Sequence, residues 1–279
     1  MKLSIIIVGY RAKKRLFDCI KSIENSKPKN QYEIIVIDHD ETSAIKNETE
    51  KKFPFVQYFK SKENKGYGAG NNLGAKRAKG QFLFFLNPDT IVFPDTIDIL
   101  LNTIEKNKNI GIVAPFLLDK SNNQYDLQGA RELTPFRAFF VLSFINKYFP
   151  KNPVSRDYWI LDWDKISLKE VDTVPGTAFI IRREVFEKIK GFDENFFLYF
   201  EEFDLCRRIR KLGFKIFMDP KSKVKHFWGE STKERNDIKR IFAESRFYYF
   251  RKSYGFFWAL LVQFVTSLNK YKMFLSFFK

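Results

Sequence analysis

The tripeptide Asn87-Pro88-Asp89 places a carboxylate directly after an unbroken apolar run, Phe82–Leu86. The run is short, rich in aromatic residues and bounded by Gly80 and Pro88, which predicts a fully buried strand rather than a helix. Open α/β sheets bind their ligands at the carboxyl ends of such strands, so Asp89 is a candidate ligand-binding group. A plain strand-to-helix turn is the alternative explanation for the same three residues.

A second group of acids follows another apolar run. Glu33–Ile37 predicts a buried strand, and Asp38-His39-Asp40-Glu41 comes directly after it. The first run, Leu3–Gly9, predicts a further strand, and Tyr10 follows directly after it. Acids at two strand ends and glycines in a nearby loop are typical of an α/β nucleotide site.

A third group of acids begins the helix predicted over 201–212. Glu201, Glu202 and Asp204 fall in its first turn, where the helix dipole favours anions, and charge decoration of the helix start is the simple alternative. Aromatic residues precede these acids, which predicts a partly desolvated site in which burial raises a carboxylate pKa and the dipole lowers it. His226 ends a short predicted strand, 223–227, and is a candidate either for metal binding or for packing against Trp228.

The elements that must position these groups alternate along the chain. The predicted strands are Leu3–Gly9, Glu33–Ile37, Phe55–Phe59, Phe82–Leu86 and Ile110–Leu118. The predicted helices between them are Lys14–Ile23, the second half of 63–80, and Asp95–Lys106. This order predicts an α/β fold with a mixed, mostly parallel sheet flanked by helices. The glycine-rich stretch with Gly66, Gly68, Gly70 and Gly74 is predicted to be either a weak phosphate loop or a flexible turn.

Charge and cysteine content limit the partners and the compartment. The net charge is +16, and from Leu205 onward we count 18 Lys and Arg against 5 Asp and Glu. This basic end indicates an anionic partner such as a membrane surface, nucleic acid or polyanion, or else a solvated basic helix face. The two cysteines, each within a helical pattern, indicate neither a disulfide framework nor a thiolate zinc site, so we expect a reducing compartment. The apolar run at the N-terminus is too short for a signal peptide.

Three later segments of the chain are predicted to be helices, two of them rich in aromatic residues. Thr134 and Pro135 predict the start of a helix over Leu133–Phe149, whose phenylalanines belong either to the core or to a surface for a lipid-like acceptor. Ser231 and Glu234 form a capping box for a helix from 232 to about 252. Phe256–Val265 predicts an interfacial amphipathic helix, with a short transmembrane or dimerising helix as the alternative.

Six motifs, in order, resemble the family 2 glycosyltransferases, and the rhamnosyltransferase-type enzymes of bacterial surface polysaccharides are the most similar subgroup. The resemblance covers roughly residues 1–254 and rests on IIIVGYR, VIDHDETS, NKGYGAGNNLGAKRAKG, FLNPDT, GTAFIIRREVFEKIKGFDENFFLYFEEFDLCRRIRKLG and HFWGES. It implies a Rossmann-like GT-A fold. The implied division is a catalytic domain over 1–230, with a nucleotide-sugar half over 1–118 and an acceptor half over 119–230. A basic, aromatic helical extension over 231–279 follows.

The resemblance also implies a role for each candidate residue. In the donor site, Asp38 would accept a hydrogen bond from the pyrimidine base, and the residues implied to surround the nucleotide are Tyr10, Asn64, Gly66 and Asn72. Asn87-Pro88-Asp89 occupies the place of the family's Asp-x-Asp motif, so Asp89 and His226 would bind a divalent cation. Gly176 would line the acceptor or the donor sugar. Of the acidic pair Glu201-Glu202, the second would be the base.

The sequence departs from the family pattern at four of these positions. Gly9 stands where the family usually has Asn, His39 where it commonly has Asn or Asp, and Asn87 in place of the first acid of Asp-x-Asp, which leaves fewer negative charges for a metal. Glu202 replaces the more usual Asp, so the choice of base between Glu201 and Glu202 stays open. An imidazole ligand favours Mn²⁺, with Mg²⁺ as the second choice.

The resulting hypothesis is an inverting, metal-dependent glycosyltransferase. Its donor would be a nucleoside-diphosphate sugar, with dTDP-rhamnose favoured by the resemblance and UDP sugars next. Its acceptor would be a surface-polysaccharide or lipid-linked glycan at the cytoplasmic face of the membrane, to which the basic extension would bind peripherally. We expect no nucleic-acid partner, and a homodimer is compatible with the sequence. A non-catalytic nucleotide-sugar-binding protein and a nucleotidyltransferase are the alternatives.

Overall fold

The computed structural model describes residues 1–40, 45–125, 127–228 and 236–268 of the 279-residue chain. In these residues the strands join into one sheet, and they are β1 (Leu3–Gly9), β2 (Tyr32–Asp38), β3 (Val56–Lys60), β4 (Phe82–Leu86), β5 (Thr90–Val92), β6 (Ile110–Leu118), β7 (Lys169–Val171), β8 (Ala178–Arg182) and β9 (Lys215–His226).

The sheet is mixed, with a parallel half and a half in which both parallel and antiparallel pairs occur. Its order is β3-β2-β1-β4-β8-β6-β9-β5, and β7 pairs with β9 as a branch. Strands β3, β2, β1 and β4 are mutually parallel, whereas β8 runs antiparallel to both β4 and β6. Strand β9 is parallel to β6 and antiparallel to β5. The predicted mixed α/β sheet is therefore confirmed.

Helices cover both faces of this sheet and continue beyond it. They are α1 (Lys13–Ser26), α2 (Lys46–Lys52), α3 (Tyr67–Arg77), α4 (Thr96–Glu105), α5 (Pro135–Val141), α6 (Phe144–Tyr148), α7 (Pro153–Tyr158), α8 (Arg183–Lys188), α9 (Glu201–Lys211), α10 (Ile238–Tyr254) and α11 (Phe256–Ser267).

The two faces of the sheet bury separate apolar clusters. One cluster packs α1 and α4 against the sheet through residues such as Leu16, Ile20 and Leu101. The other packs the opposite face against α8 and α9, with Phe85, Phe179 and other side chains fully buried. Because both faces are covered, the central strands are continuous apolar runs, and these unbroken runs identified them in the sequence.

The glycines of the predicted phosphate loop lie mainly inside helix α3. A Cβ at Gly74 would approach Ile6 of β1 to 2.4 Å, and one at Gly70 would approach Val8 to 2.7 Å. The glycines therefore bring the helix close to the sheet, and both the phosphate loop and the flexible turn were wrong for these two positions.

Several predicted elements differ from the structure. The sequence predicts two short strands, Phe214–Met218 and Lys223–Phe227, where the structure has the single strand β9 with a register shift against β6. Strand β5 was not predicted at all. The helix predicted over Leu133–Phe149 is divided into α5 and α6 at Ser143, whose hydroxyl accepts a hydrogen bond from Ile145 N–H. The capping box Ser231–Glu234 lies outside the described residues, as does the predicted domain boundary at 230, and the described part of the following helix begins at Ile238.

A third apolar cluster joins the C-terminal helices to the segment before α9. It contains Phe196 and Phe200 together with Tyr249 of α10 and Val262 of α11. Within the described residues, none of the helices combines the length and the hydrophobicity needed to cross a bilayer.

Candidate active site

Asp89 and His226 lie side by side at one end of the sheet. His226 Nε2 is 3.4 Å from Asp89 Oδ1, and both side chains are buried. The short strand β5 produces this contact, because it pairs antiparallel with β9 and sets Thr90 opposite His226. The amide of Phe227 also donates to the Asp89 carbonyl at 2.9 Å.

Five of the residues predicted for the site carry buried polar atoms without hydrogen-bond partners. Among the described residues, Asp89 Oδ1, His226 Nδ1 and Asn87 Oδ1 have none, and neither have one carboxylate oxygen each of Glu201 and Glu202. A buried polar atom without a partner is costly, so such a set of atoms indicates a site that receives a ligand.

The acidic pair begins α9 after a strained backbone turn. Tyr199 and Phe200 both have positive φ, 71° and 67°, which is rare for bulky residues. The rings of Phe203 and Tyr249 pack against Phe200 and hold this conformation. The turn directs the chain into the helix so that Glu201 is buried and Glu202 is partly buried.

Burial is the main influence on the two carboxyl groups. Desolvation, and then the charge of Glu202, raise the pKa of Glu201 well above its ordinary value. Desolvation raises the pKa of Glu202 to about 7. Of the opposing effects expected from the sequence, burial therefore outweighs the helix dipole.

Gly176 connects the acidic pair to the Asn87-Pro88-Asp89 turn. A Cβ on Gly176 would lie 3.6–3.7 Å from Glu202 side-chain carbons, so the backbone passes directly beside this acid. The next carbonyl, that of Thr177, accepts a hydrogen bond from Asn87 N–H at 2.8 Å. The Tyr67 hydroxyl donates to the Gly176 carbonyl at 2.5 Å. The predicted groups from 87–89, 176, 201–202 and 226 are thus linked through direct neighbours.

Asp38 lies at the end of β2, beside the parallel strand β3. Its carboxylate is fully buried and accepts hydrogen bonds from Asp40 N–H and from the Tyr58 hydroxyl. Tyr10, at the end of the adjacent β1, lies under the guanidinium of Arg11 at 5.1 Å. Both residues lie at the carboxyl ends of parallel strands, as the sequence predicted. The Asp38 carboxylate already has two hydrogen-bond partners within the protein.

The loop before α3 is shaped by Asn64 and Gly66. Asn64 Oδ1 accepts from Gly66 N–H at 3.0 Å, and Gly66 has φ of 93°, where a Cβ would lie 1.9 Å from the Phe197 carbonyl oxygen. His39 Nε2 contacts the Gly66 carbonyl at 3.2 Å, and burial lowers the pKa of His39. The close approach of Gly66 to Phe197 packs the loop before α3 against the segment that leads into the acidic pair.

Asn72 contacts a different part of the protein. Its amide nitrogen donates to the Phe192 carbonyl and to Glu194, both at 2.9 Å, and its oxygen accepts from Phe192 N–H. The side chain therefore fastens α3 to the loop that precedes the acidic pair. Its predicted role in shaping the nucleotide pocket stays a prediction.

Sequence reasoning missed two tyrosines of the site. Tyr58 holds Asp38 and Tyr67 holds Gly176, and both lie in stretches that the sequence marked only as a strand and a glycine-rich loop. The alternation of side chains along β3 could have identified Tyr58. Asp38 lies opposite Lys60 in the parallel pair of β2 and β3, and Tyr58, two residues before Lys60, points to the same face of the sheet.

The family model described as glycosyl transferase family 2 matches residues 4–190, more than half of the chain. The chain belongs to glycosyl transferase family 2. The matched region contains the Asn87-Pro88-Asp89 turn and Gly176, whereas the acidic pair and His226 lie after it. The sequence-based recognition of this family is confirmed.

Relatives of this family 2 chain include sugar transferases from archaea and bacteria. It is 28% identical over 221 residues to the low-salt glycan biosynthesis hexosyltransferase Agl10 of Haloferax volcanii, covering 77% of this chain and 63% of that protein. It is 25% identical to the N-acetylglucosaminyl-diphospho-decaprenol L-rhamnosyltransferase of Mycobacterium tuberculosis, covering 71% and 67%. With rhamnosyltransferase WbbL of Escherichia coli K12 it shares 23% identity, covering 74% and 77%.

Solved structures support the fold of this family 2 chain. GalNAc-T7, crystallised with UDP, GalNAc and Mn²⁺, superposes with a TM-score of 0.61 at 21% identity, over 82% of this chain and 44% of that one. S. aureus TarS 1-349 gives a TM-score of 0.55 at 16% identity, over 91% and 74%. The predicted GT-A fold is confirmed.

Proposed function

We propose that this chain transfers a sugar from a nucleoside-diphosphate sugar to a glycan acceptor with inversion at the anomeric carbon. The observation that carries the proposal is the set of unpartnered buried atoms on Asn87, Asp89, Glu201, Glu202 and His226, residues that direct contacts through Gly176 and Thr177 link to one another. Membership of family 2 and the sugar-transferase relatives give the reaction class.

Glu202 is the better base of the acidic pair. Its partly buried side chain lies against Gly176, and its pKa of about 7 allows it to take a proton near neutral pH. Glu201 is more deeply buried, with 4% of its surface exposed, and burial together with the charge of Glu202 raises the pKa of Glu201 well above its ordinary value. Glu201 therefore stays protonated while Glu202 accepts the proton of the attacking hydroxyl.

Asp89 and His226 would hold a divalent cation. Their facing atoms are 3.4 Å apart, and the lack of a partner for Asp89 Oδ1 fits a group that awaits a positive charge. No cluster of three or more His, Cys, Asp or Glu in the described residues could hold a metal alone, so donor diphosphate oxygens would complete the set. A bound divalent cation stabilises the charge that develops on a departing diphosphate. One imidazole and the Mn²⁺ of GalNAc-T7 favour Mn²⁺ over Mg²⁺.

The donor and acceptor follow from the relatives. Two relatives are named rhamnosyltransferases, which supports a rhamnose donor, with dTDP as the favoured nucleotide. Asp38 and Tyr10 would recognise its base, and Asn64, Gly66 and Asn72 would shape the nucleotide pocket. The name of the Mycobacterium tuberculosis relative supports an acceptor linked through a diphosphate to a lipid. For such an acceptor, we expect the enzyme to bind peripherally to the cytoplasmic face of the membrane.

A donor screen tests this function. Purified protein is first screened by thermal shift against a panel of nucleotide sugars in the presence of Mn²⁺, which measures donor binding. Sugar transfer to a lipid-linked acceptor is then measured by detecting the glycosylated product. Glu202→Gln should reduce transfer by about 10²–10⁴-fold and leave nucleotide binding intact. Glu187→Gln is the matched control, because Glu187 is exposed on α8. Nucleotide binding without turnover in the wild type would instead support a non-catalytic nucleotide-sugar-binding protein.

A further inference from the structure

Arg246 is a buried cation that the proposed reaction does not use. Only 9% of its surface is exposed, and one guanidinium nitrogen donates to Gln263 Oε1 at 2.7 Å. Its Nε has no hydrogen-bond partner, and no carboxylate in the described part of the chain pairs with it. Burying a charge without a counter-charge is unfavourable, so this arrangement fits a site that receives an anion.

The position of Arg246 places such an anion on the acceptor side. The guanidinium lies 5.8 Å from the ring of Phe242, which itself packs 5.1 Å from the ring of Phe200. A single aromatic ring, that of Phe242, therefore separates Arg246 from Phe200, which directly precedes the acidic pair. The residues proposed to bind the nucleotide base, Asp38 and Tyr10, belong to other elements, the end of β2 and the end of β1.

An exposed apolar face lies beside this cation. Gln263, the partner of Arg246, stands on α11 next to Phe264, which is 63% exposed. Phe257, Leu260 and Leu261 are exposed on the same helix at helical spacing, and α5, which packs against α11, adds the exposed ring of Phe136. Exposed apolar side chains that share one face of a helix in this way indicate a binding face for an apolar molecule.

The charge around this face favours an anionic occupant. From residue 245 to 268, the last residue that the structure describes, the chain contains no Asp or Glu, while it contains Arg246, Arg251 and Lys252. Lys252 is ion-paired with Asp193 and Asp204, which leaves Arg246 as the buried cation beside α11. The occupant must therefore combine a phosphate-like anion with a hydrocarbon chain. A free nucleotide would satisfy the cation but not the apolar face.

We propose that Arg246 and the apolar face of α11 bind the phosphate and the first hydrocarbon units of a polyprenyl-diphosphate-linked acceptor. The inference rests on the proposed transfer to a lipid-linked glycan and assigns residues to the acceptor. Arg246 supplies charge-assisted hydrogen bonds to phosphate oxygens, and Phe257, Leu261 and Phe264 cover the chain. The acceptor sugar is thereby directed towards Glu202.

Vesicle flotation with the full chain tests this binding without any sugar transfer. Phosphatidylcholine vesicles are compared with vesicles that also contain either polyprenyl diphosphate or, at equal charge, phosphatidylglycerol. The wild type should prefer the polyprenyl diphosphate, and Arg246→Gln should weaken that binding by about tenfold or more. Arg240→Gln removes the same charge from an exposed, ion-paired position on α10 and should bind as the wild type does.

A second variant keeps the test valid if Arg246→Gln fails to fold. Phe264→Ser changes an exposed side chain and should weaken binding to polyprenyl vesicles while leaving dTDP and UDP binding unchanged. Equal binding to phosphatidylglycerol, unchanged binding by both variants, or a matching loss of nucleotide affinity in Arg246→Gln would overturn the inference. A protein that glycosylates a soluble acceptor but ignores polyprenyl diphosphate would refute this inference and leave the proposed function standing.

Discussion

Thr90 and His226 face each other across the antiparallel pair β5–β9, and this register carries the Asp89 carboxylate to within 3.4 Å of the imidazole. The two residues come from distant parts of the sequence. Neither local propensity nor a motif fixes their contact, which depends on a three-residue strand at the edge of the sheet.

Asp89→Asn tests the cation site at this contact. The change keeps the shape of the side chain but removes its charge, so Mn²⁺ binding in the presence of the donor nucleotide should weaken, with transfer falling by about 10²-fold or more. Calorimetric titration with Mn²⁺ measures the first effect directly.

The control for Asp89→Asn is Asp95→Asn, because Asp95 is exposed and has φ of 60°, a conformation that Asn tolerates. Mn²⁺ affinity that is equal in the wild type and in Asp89→Asn would rule out this carboxylate as a ligand.

The pH dependence of transfer tests Glu202 as the base. A base must be ionised, and burial raises the pKa of Glu202 to about 7. The value of kcat/KM should therefore fall as pH decreases through about 7 and level off above it. A profile that stays flat down to the ordinary range of a glutamate would exclude Glu202 from this role.

The stability of the protein should depend on pH in the opposite sense. A carboxyl group whose pKa is raised on folding contributes stability that is present below its unfolded pKa and is lost as pH rises through the folded pKa. For Glu202 this window runs from the ordinary value of 4.5 to about 7. Glu202→Gln should raise the melting temperature by several degrees at pH 8, corresponding to roughly 3 kcal/mol, and change little at pH 4.

Melting curves of Glu187→Gln provide the reference for this effect. This exposed carboxylate should give no such gain at either pH. If the melting temperature of Glu202→Gln at pH 8 equals that of the wild type, burial does not raise the pKa of Glu202.

Gly66→Ala tests the contact between the loop before α3 and the segment before the acidic pair. A Cβ would lie 1.9 Å from the Phe197 carbonyl oxygen, so we expect a loss of more than about 3 kcal/mol in the free energy of unfolding and weaker nucleotide binding. Gly213→Ala is the matched control. Gly213 also has positive φ, 84°, but nothing lies within 4 Å of the added atom, so the cost should be only about 1–2 kcal/mol. Chemical denaturation that gives equal costs at both positions would remove the steric argument.

Buried strands were the most predictable part of this fold. Phe82–Leu86 is apolar throughout because both faces of β4 are covered, and the predicted bounds are those of the strand. Its end therefore located Asp89 correctly. Strand β5 escaped prediction because its three residues carry no periodicity and exist as a strand only through β9.

Other features depend on long-range packing that the sequence does not display. The glycines in α3 suggested a loop, yet Gly70 and Gly74 are needed where the helix approaches Val8 and Ile6. Likewise, aromatic residues before Glu201 predicted desolvation correctly, but the positive φ angles of Tyr199 and Phe200 follow from packing against α10.

The chain from Phe200 to His226 is continuous: α9, a turn at Gly213 and then β9. The proposed base stands at one end of this stretch and the proposed cation ligand at the other, with the register of β9 fixing the spacing between them. A chimera that grafts 200–226 from a related enzyme as a single cassette would carry both groups together. Both groups could thus be exchanged without redesigning β1, β2 and β4, provided that the graft keeps the pairing of β9 with β5 and β6.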